Sequence, residues 1–167
     1  MSNIFQTVKE YDDAIVAWAE ARDIIQHSTA EAQLYKLCEE YGELGGAIAK
    51  NRIHKIKDGI GDTYVCLVNH CKIAYNLTPS AFAVPFVADN RNPYFVGNRI
   101  IANIAEAAVA LTDGCTCSAG RMAGLLYYLA SLNGLEFVDC IDAAYVEIKD
   151  RKGQMQPGGV FVKDGDV

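Results

Sequence analysis

Apolar residues recur at helical spacing along almost the whole chain, and no other feature constrains the fold as strongly. Within residues 30–50 one such stripe is formed by Leu34, Leu37, Tyr41, Leu44 and Ile48. A stripe of this kind is typical of an amphipathic helix that packs against a core. Similar spacing predicts further helices over residues 11–26, 55–76, 98–111, 119–132 and 135–152. No strand-rich segment is present, so we predict an all-α helical bundle.

The 167 residues fit one domain, 1–167, which is long enough to bury a core. Two segments interrupt the helical pattern. Residues 79–97 contain three prolines and a polar cluster, which predicts a loop insertion of the kind that often forms a lid or binding loop. Residues 153–167 are rich in glycine, and we expect an irregular C-terminal tail there. A turn is predicted at Asp113-Gly114, between two of the helices.

The charge of the chain restricts its partners. With a net charge of −6, the protein is not expected to bind nucleic acid, which requires basic surfaces. No apolar run is long enough to span a membrane, and the N-terminus has no signal-peptide pattern. We therefore expect a protein of the cytoplasm (the host cytoplasm if the protein is viral) without membrane partners. An acidic protein that binds phosphates needs metal ions or a local basic cluster.

The six cysteines do not predict a disulfide framework or a zinc site. Cys38, Cys66 and Cys71 lie within apolar helical patterns, where cysteine behaves as a small hydrophobic residue. Cys115 and Cys117 form a single C-x-C pair with no second pair at metal-binding spacing. Reduced thiols are the expected state.

Acidic residues are concentrated on the second predicted helix. At about 100° per residue, Glu40 and Glu43 lie about 60° and 120° to one side of the apolar stripe. Glu39 lies on roughly the opposite face. Glutamates three residues apart on a surface helix are usually solvated, so this pattern alone is weak evidence for a site. It does allow Glu40 and Glu43 to face a cleft between helices.

The third predicted helix adds a more specific signal. Asp58, Asp62 and Asn69 fall within about 40° of one another on a helix that is otherwise apolar nearly all round. Partly buried carboxylates are costly unless they are paired or bind a metal ion. Several carboxylates from neighbouring helices offer hard oxygen ligands, which suit Mg²⁺ or Mn²⁺ better than zinc. The two acidic patterns together predict a divalent metal site.

The region that carries these residues, 15–77, resembles the MazG-like all-α NTP pyrophosphohydrolases, which have an ExxE and then an ExxD motif on consecutive helices. The segment AAYVEIKDRKGQMQPGGVFVK resembles the end of the same proteins, in particular the short forms of bacteriophages. The resemblance implies a MazG-like helical bundle with additional helices. It also implies that Glu40 and Glu43 are the metal ligands of ExxE and that Asp62 is the aspartate of ExxD.

One position departs from the family pattern. The glutamate expected three residues before Asp62 is Gly59 in this chain. Asp58 is the obvious substitute, because residues four apart on a helix face the same side. Glu39 is a further candidate for the missing ligand.

The family reaction is the Mg²⁺-dependent hydrolysis of a nucleoside triphosphate between the α- and β-phosphates, with Mn²⁺ as an alternative ion. Glu39 or Glu43 could then accept the proton of the attacking water. By resemblance, Lys149 and Arg151, with Lys152, supply cations to the phosphates, although cations at a helix end commonly just complement its dipole. Asn69 could contact the sugar or the base.

The resemblance further implies a homodimer or homotetramer, and for short phage-type members we expect a purine substrate such as dGTP or GTP.

Two other functions can be compared with the sequence. A di-iron bundle needs Glu-x-x-His pairs, which the chain lacks after Glu40 and Glu43. A non-catalytic nucleotide-binding or regulatory module with a decayed metal site remains open because of Gly59. Trp18 could stack on a base, although core packing is the commoner role of such a residue.

Overall fold

A computed structural model describes residues 4–84, 86, 91–110 and 116–165. The predicted turn at Asp113-Gly114 and Cys115 lie outside the described residues. The helices are α1 (Ile4–Glu20), α2 (Ile24–His27), α3 (Ala30–Ala49), α4 (Ile53–Tyr75), α5 (Pro93–Ala110), α6 (Cys117–Leu132) and α7 (Phe137–Ile148). A two-stranded sheet, β1 (Gly153–Met155) and β2 (Phe161–Lys163), follows the last helix. The predicted all-α class is confirmed.

Helix α4 is the central element, as its apolar surface predicts, and α3 and α7 pack on either side of it. Two glycines of α4 allow this close packing. A Cβ atom on Gly59 would lie 2.9 Å from Leu44 Cβ on α3, and one on Gly61 would overlap the carbonyl of Cys140 on α7. Asp62 follows directly and is therefore held between α3 and α7.

The helix predicted over residues 11–26 is interrupted. Helix α1 ends at Glu20, and Asp23 adopts a left-handed backbone conformation (φ 61°) before the short helix α2. A left-handed residue cannot continue an α-helix. The interruption places Arg22 beside the end of α7, to whose carbonyl oxygens its side chain donates hydrogen bonds.

The predicted loop over residues 79–97 is shorter than expected in the part that the structure describes. A 3-10 turn covers Pro79–Ala81, and α5 already begins at Pro93. Proline is well suited to the first turn of a helix, where no N–H donor is needed. The 3-10 turn is fixed by the buried carboxylate of Asp12, which accepts hydrogen bonds from Ser80 N at 3.0 Å and from the Tyr64 hydroxyl at 2.9 Å.

The C-terminal tail is more ordered than its glycine content indicates. Strands β1 and β2 pair antiparallel, with Gly153 opposite Lys163. The connection uses Gly158 and Gly159 at φ 105° and 82°, a backbone region that favours glycine. Gly159 also packs against the backbone of Ser28, so the hairpin lies on the start of the helical bundle. The expectation of a wholly irregular tail is thereby corrected.

The burial of the cysteines agrees only partly with the sequence. Cys66 and Cys71 are buried as expected, but Cys38 is exposed on the outer face of α3. Its position in an apolar stretch of sequence did not reveal which face of the helix it occupies.

Within the described residues, the helices are too short or too polar to cross a lipid bilayer.

Candidate active site

Charged side chains from α3, α4 and α7 meet in a cleft of about 470 Å³ that β2 closes on one side. The residues that line it include the following acidic and basic side chains: Lys36, Glu39, Glu40, Glu43, Asp62, Glu147, Arg151 and Lys163. The three metal ligands predicted from the sequence, Glu40, Glu43 and Asp62, are thus brought together. So is the arginine predicted to bind phosphate.

Lys36 connects the two adjacent glutamates of α3. Its Nζ donates to Glu39 Oε2 at 2.9 Å and forms an ion pair with Glu40 Oε1 at 2.8 Å. The Glu40 side chain is only 18 % exposed, whereas that of Glu39 is 61 % exposed. Glu39 therefore reaches only the rim of the cleft. Burial lowers the pKa of Lys36, but its hydrogen bonds to both glutamates outweigh this effect and raise it, so the lysine remains charged.

Asp62 has the most informative electrostatics in the cleft. Burial raises its pKa to about 7, and the negative charges of Glu40 and Glu147 add to this effect. Arg151 acts in the opposite direction but does not compensate for them. A cation beside Asp62 would stabilise its ionised form against the negative charge of its neighbours. The cleft therefore has the electrostatic character of a cation site.

Asp58 does not enter this cleft. Its side chain is 44 % exposed and lies 3.2 Å from Lys55 Nζ. It lines a neighbouring groove that also contains Glu43, Asp62 and Glu147. At position 59, where the family pattern has glutamate, the contact with α3 leaves no room for a side chain. The structure thus explains why the position is glycine, and it does not place Asp58 as a direct replacement.

Glu147 is the acidic residue that sequence reasoning missed. It lies on α7 and lines both the cleft and the neighbouring groove. One of its oxygens accepts a hydrogen bond from Arg151 Nη2 at 2.6 Å. The spacing of four residues between Glu147 and Arg151 could have indicated that they share one face. What the sequence did not show is that this face of α7 is turned toward Asp62.

The basic residues predicted at the end of α7 divide into two groups. Arg151 lines the cleft, whereas Lys149 and Lys152 are exposed and do not line it. The cations that join Arg151 there are Lys36 and Lys163. The described side chains do not include three His, Cys, Asp or Glu residues close enough together to hold a metal ion as they stand. Binding would require carboxylate side chains to turn toward the ion.

A smaller recess of about 80 Å³ is continuous with the cleft, since both are lined by Asp62 and Arg151. Its walls include Trp18, Asn69 and Phe161. Trp18 and Phe161 pack edge to face, with ring centroids 6.1 Å apart. The recess therefore adds aromatic side chains to the charged cleft, and it is lined by Asn69, for which the sequence predicts a contact to the sugar or base.

Part of the chain is similar to known proteins. Residues 28–88 match the model of the MazG nucleotide pyrophosphohydrolase domain. The chain is also 41 % identical, over 68 residues, to an uncharacterized 18.2 kDa protein from the rep-hol intergenic region of Haemophilus phage HP1 (strain HP1c1). The aligned part is 41 % of this chain and 39 % of the phage protein, so the chain spans about two fifths of that relative. No solved structure matches the chain.

The matched region contains α3 and α4 and hence Glu40, Glu43 and Asp62, whereas α7 and the hairpin lie beyond it. The domain family that matches and the all-α fold both agree with the resemblance found in the sequence. The similarity to the MazG nucleotide pyrophosphohydrolase domain thus covers residues 28–88.

Proposed function

We propose that the protein is a metal-dependent nucleoside triphosphate pyrophosphohydrolase that releases a nucleoside monophosphate and pyrophosphate. The observation that carries the proposal is the placement of Glu40 and Asp62, from two helices of the MazG-type segment, in one cleft with Arg151. Carboxylates on one side and cations on the other are what a metal–triphosphate complex requires.

The donor set of the cleft fits Mg²⁺, with Mn²⁺ as an alternative, because it consists of carboxylate oxygens. Glu40, Glu43 and Asp62 would hold the ion, and Glu147 is positioned to supply the carboxylate absent at Gly59. Asp58 is a secondary candidate because it does not line the cleft, and Glu39 is one because its side chain lies at the rim. A bound ion would neutralise phosphate charge and lower the pKa of a coordinated water.

The remaining residues bind and orient the substrate. Arg151, Lys36 and Lys163 bring positive charge to the cleft where the phosphates would lie. Lys149 and Lys152 are exposed and would contribute through their charge at longer range. Glu43 is the better candidate to accept the proton of the attacking water, since Glu39 is paired with Lys36.

A direct test measures pyrophosphate and nucleoside monophosphate together, with and without Mg²⁺. Wild type should form both in equal amounts, and the Glu43→Gln variant should lose most of this activity. Glu20→Gln is the matched control, because Glu20 is an exposed glutamate of α1 outside the cleft. Release of inorganic phosphate and a diphosphate, or activity that persists in excess chelator, would contradict the proposal.

A second function, nucleotide binding without hydrolysis, has one observation in its favour: no carboxylate occupies position 59. It predicts tight nucleotide binding with no pyrophosphate release from any of the eight common nucleotides. The same assay therefore separates the two functions.

We also propose a homodimer or homotetramer in the cytoplasm (of the host if the protein is viral), with no nucleic-acid or membrane partner. Tyr94 and Ile101 support the assembly, since these exposed apolar residues lie seven apart and thus on one face of α5. A monomeric mass by light scattering at micromolar concentration would refute it.

A further inference from the structure

Two buried polar atoms on residues that line the recess beside the cleft have no hydrogen-bond partner. They are Trp18 Nε1, a donor, and Asn69 Oδ1, an acceptor. Trp18 is 9 % exposed and Asn69 is 4 % exposed. Leaving such groups unpaired is costly, so unpaired buried atoms on residues that line a cavity point to a ligand that pairs with them once the side chains turn toward it.

The position of the recess identifies the part of the ligand that would enter it. Lys36, Glu40, Asp62 and Arg151 line the recess as well as the cleft. A nucleotide whose phosphates lie among the charged residues of the cleft would therefore extend its base toward Trp18 and Asn69. The edge of a base carries both hydrogen-bond donors and acceptors, as these two atoms require.

Hydrogen bonding alone does not distinguish purines from pyrimidines, because both carry donors and acceptors. The size of the recess is therefore the relevant property. The recess measures about 80 Å³. For comparison, an engineered apolar cavity of roughly 150 Å³ holds one benzene ring. A single six-membered ring, partly enclosed and partly in the open cleft, fits this space better than the fused rings of a purine.

We propose that the recess bounded by Trp18, Asn69 and Phe161 is a nucleobase site that selects pyrimidine over purine nucleotides. The proposal rests on the proposed function for the position of the phosphates. Trp18 Nε1 donates to a carbonyl oxygen of the base, and Asn69 Oδ1 accepts from a ring or amino N–H. This replaces the purine preference expected from the resemblance to short phage proteins.

The test measures binding rather than turnover. The full chain with Mg²⁺ is titrated by calorimetry with the non-hydrolysable α,β-methylene analogues of dCTP, dUTP, dTTP, dGTP and dATP. At least one pyrimidine analogue should bind about tenfold more tightly than either purine analogue. Trp18→Phe, which keeps an aromatic wall but removes the N–H, and Asn69→Leu should each reduce that preference severalfold.

Asn103→Leu is the matched control. Asn103 is also buried, with an unpaired Oδ1, but it lies on α5 and does not line the recess. Thermal unfolding of every variant identifies one that fails to fold, and if Asn69→Leu fails, the smaller Asn69→Ala, which also removes the acceptor, replaces it. Equal or tighter binding of purine analogues, or variants that bind like the control, would overturn the proposal.

The outcome for this site is separable from that for catalysis. Selective binding of pyrimidine analogues without pyrophosphate release from the natural nucleotides would support the base site and refute the proposed hydrolase. Pyrophosphate release with no preference for pyrimidine analogues would support the proposed hydrolase and refute the base site.

Discussion

Glu147 on α7 lies close enough to Asp62 on α4 for its charge to help raise the pKa of Asp62 to about 7, after the larger effect of burial. The two residues are 85 positions apart in sequence and line the same cleft. Under the proposed function, this proximity would allow Glu147 to make up for the carboxylate that is absent at Gly59.

Glu147→Gln should weaken the binding of Mn²⁺, used as a probe for Mg²⁺, by roughly tenfold, because it removes one negatively charged oxygen ligand. The measurement is a calorimetric titration of the nucleotide-free protein. Asp150→Asn provides the control, since it removes the same charge from an exposed residue near the same helix end. Identical affinities in the two variants would remove Glu147 from the metal site.

The stability of the metal-free protein should fall as pH rises from about 4 to about 7. Asp62 is ionised in the unfolded chain above its ordinary pKa of 3.8, but in the folded protein it keeps its proton until about pH 7. The folded state therefore binds more protons in this window and loses stability with increasing pH. Besides burial, negative charge raises the pKa of Asp62, and it comes from Glu40, Glu147 and Asp58. Arg151 lowers this pKa.

Thermal unfolding of wild type and Asp62→Asn across this pH range checks the prediction. The Tm of the variant relative to wild type should increase from pH 4 to pH 7 and then level off. Each kcal/mol of stability corresponds to roughly 2–4 °C in Tm. Saturating Mg²⁺ should reverse the order at pH 8, because only wild type retains the ligand. A difference in Tm that does not depend on pH would contradict the raised pKa.

The sequence was sufficient for much of this site. Glu40 and Glu43 could be placed because the buried face of α3 is evident from its apolar stripe. Asp62 could be placed because a carboxylate is exceptional on a helix that is apolar nearly all round. Glu147 and Phe161 could not, since their position depends on how α7 and the hairpin pack on α4. The unpaired atoms of Trp18 and Asn69 likewise become apparent only when two helices are brought together.

The basic residues near the end of α7 show a related limit. The resemblance implies a phosphate contact for Lys149, Arg151 and Lys152. The helix ends at Ile148, and of these three residues only Arg151 lines the cleft. The break at Asp23 and the order in the C-terminal hairpin depend on backbone conformations that single residues adopt for tertiary reasons.

Restoring the family glutamate at position 59 should not restore a ligand. A Cβ there would lie 2.9 Å from Leu44 Cβ and 3.0 Å from its Cα, so α3 and α4 would have to separate. Gly59→Ala should therefore destabilise the protein by about 1–3 kcal/mol. Gly42→Ala on α3, where a Cβ meets nothing within 4 Å, should instead be neutral or stabilising. Chemical denaturation compares the two, and equal effects would mean that α3 and α4 are not in close contact at Gly59.

Arg22 should act as a positioning residue for Arg151. Its Nε donates to Arg151 O at 2.7 Å and its Nη2 to Lys149 O at 2.9 Å, which fastens the end of α7 to the break after α1. Arg22→Met removes both hydrogen bonds, so Arg151 should be less well placed for the phosphates. We expect the affinity for pyrophosphate to fall severalfold, whereas the affinity for Mn²⁺ should change little because Arg22 does not line the cleft.

The matched control for Arg22→Met is Arg121→Met, since Arg121 lies on α6 and pairs with Glu106 away from the cleft. Arg22→Lys should not restore binding, because one ammonium group cannot reproduce the two-pronged contact of the guanidinium. Calorimetric titration with pyrophosphate and, separately, with Mn²⁺ provides both readouts. Parallel losses in the two titrations would indicate general damage to the fold, and no loss in either would show that Arg151 is positioned without Arg22.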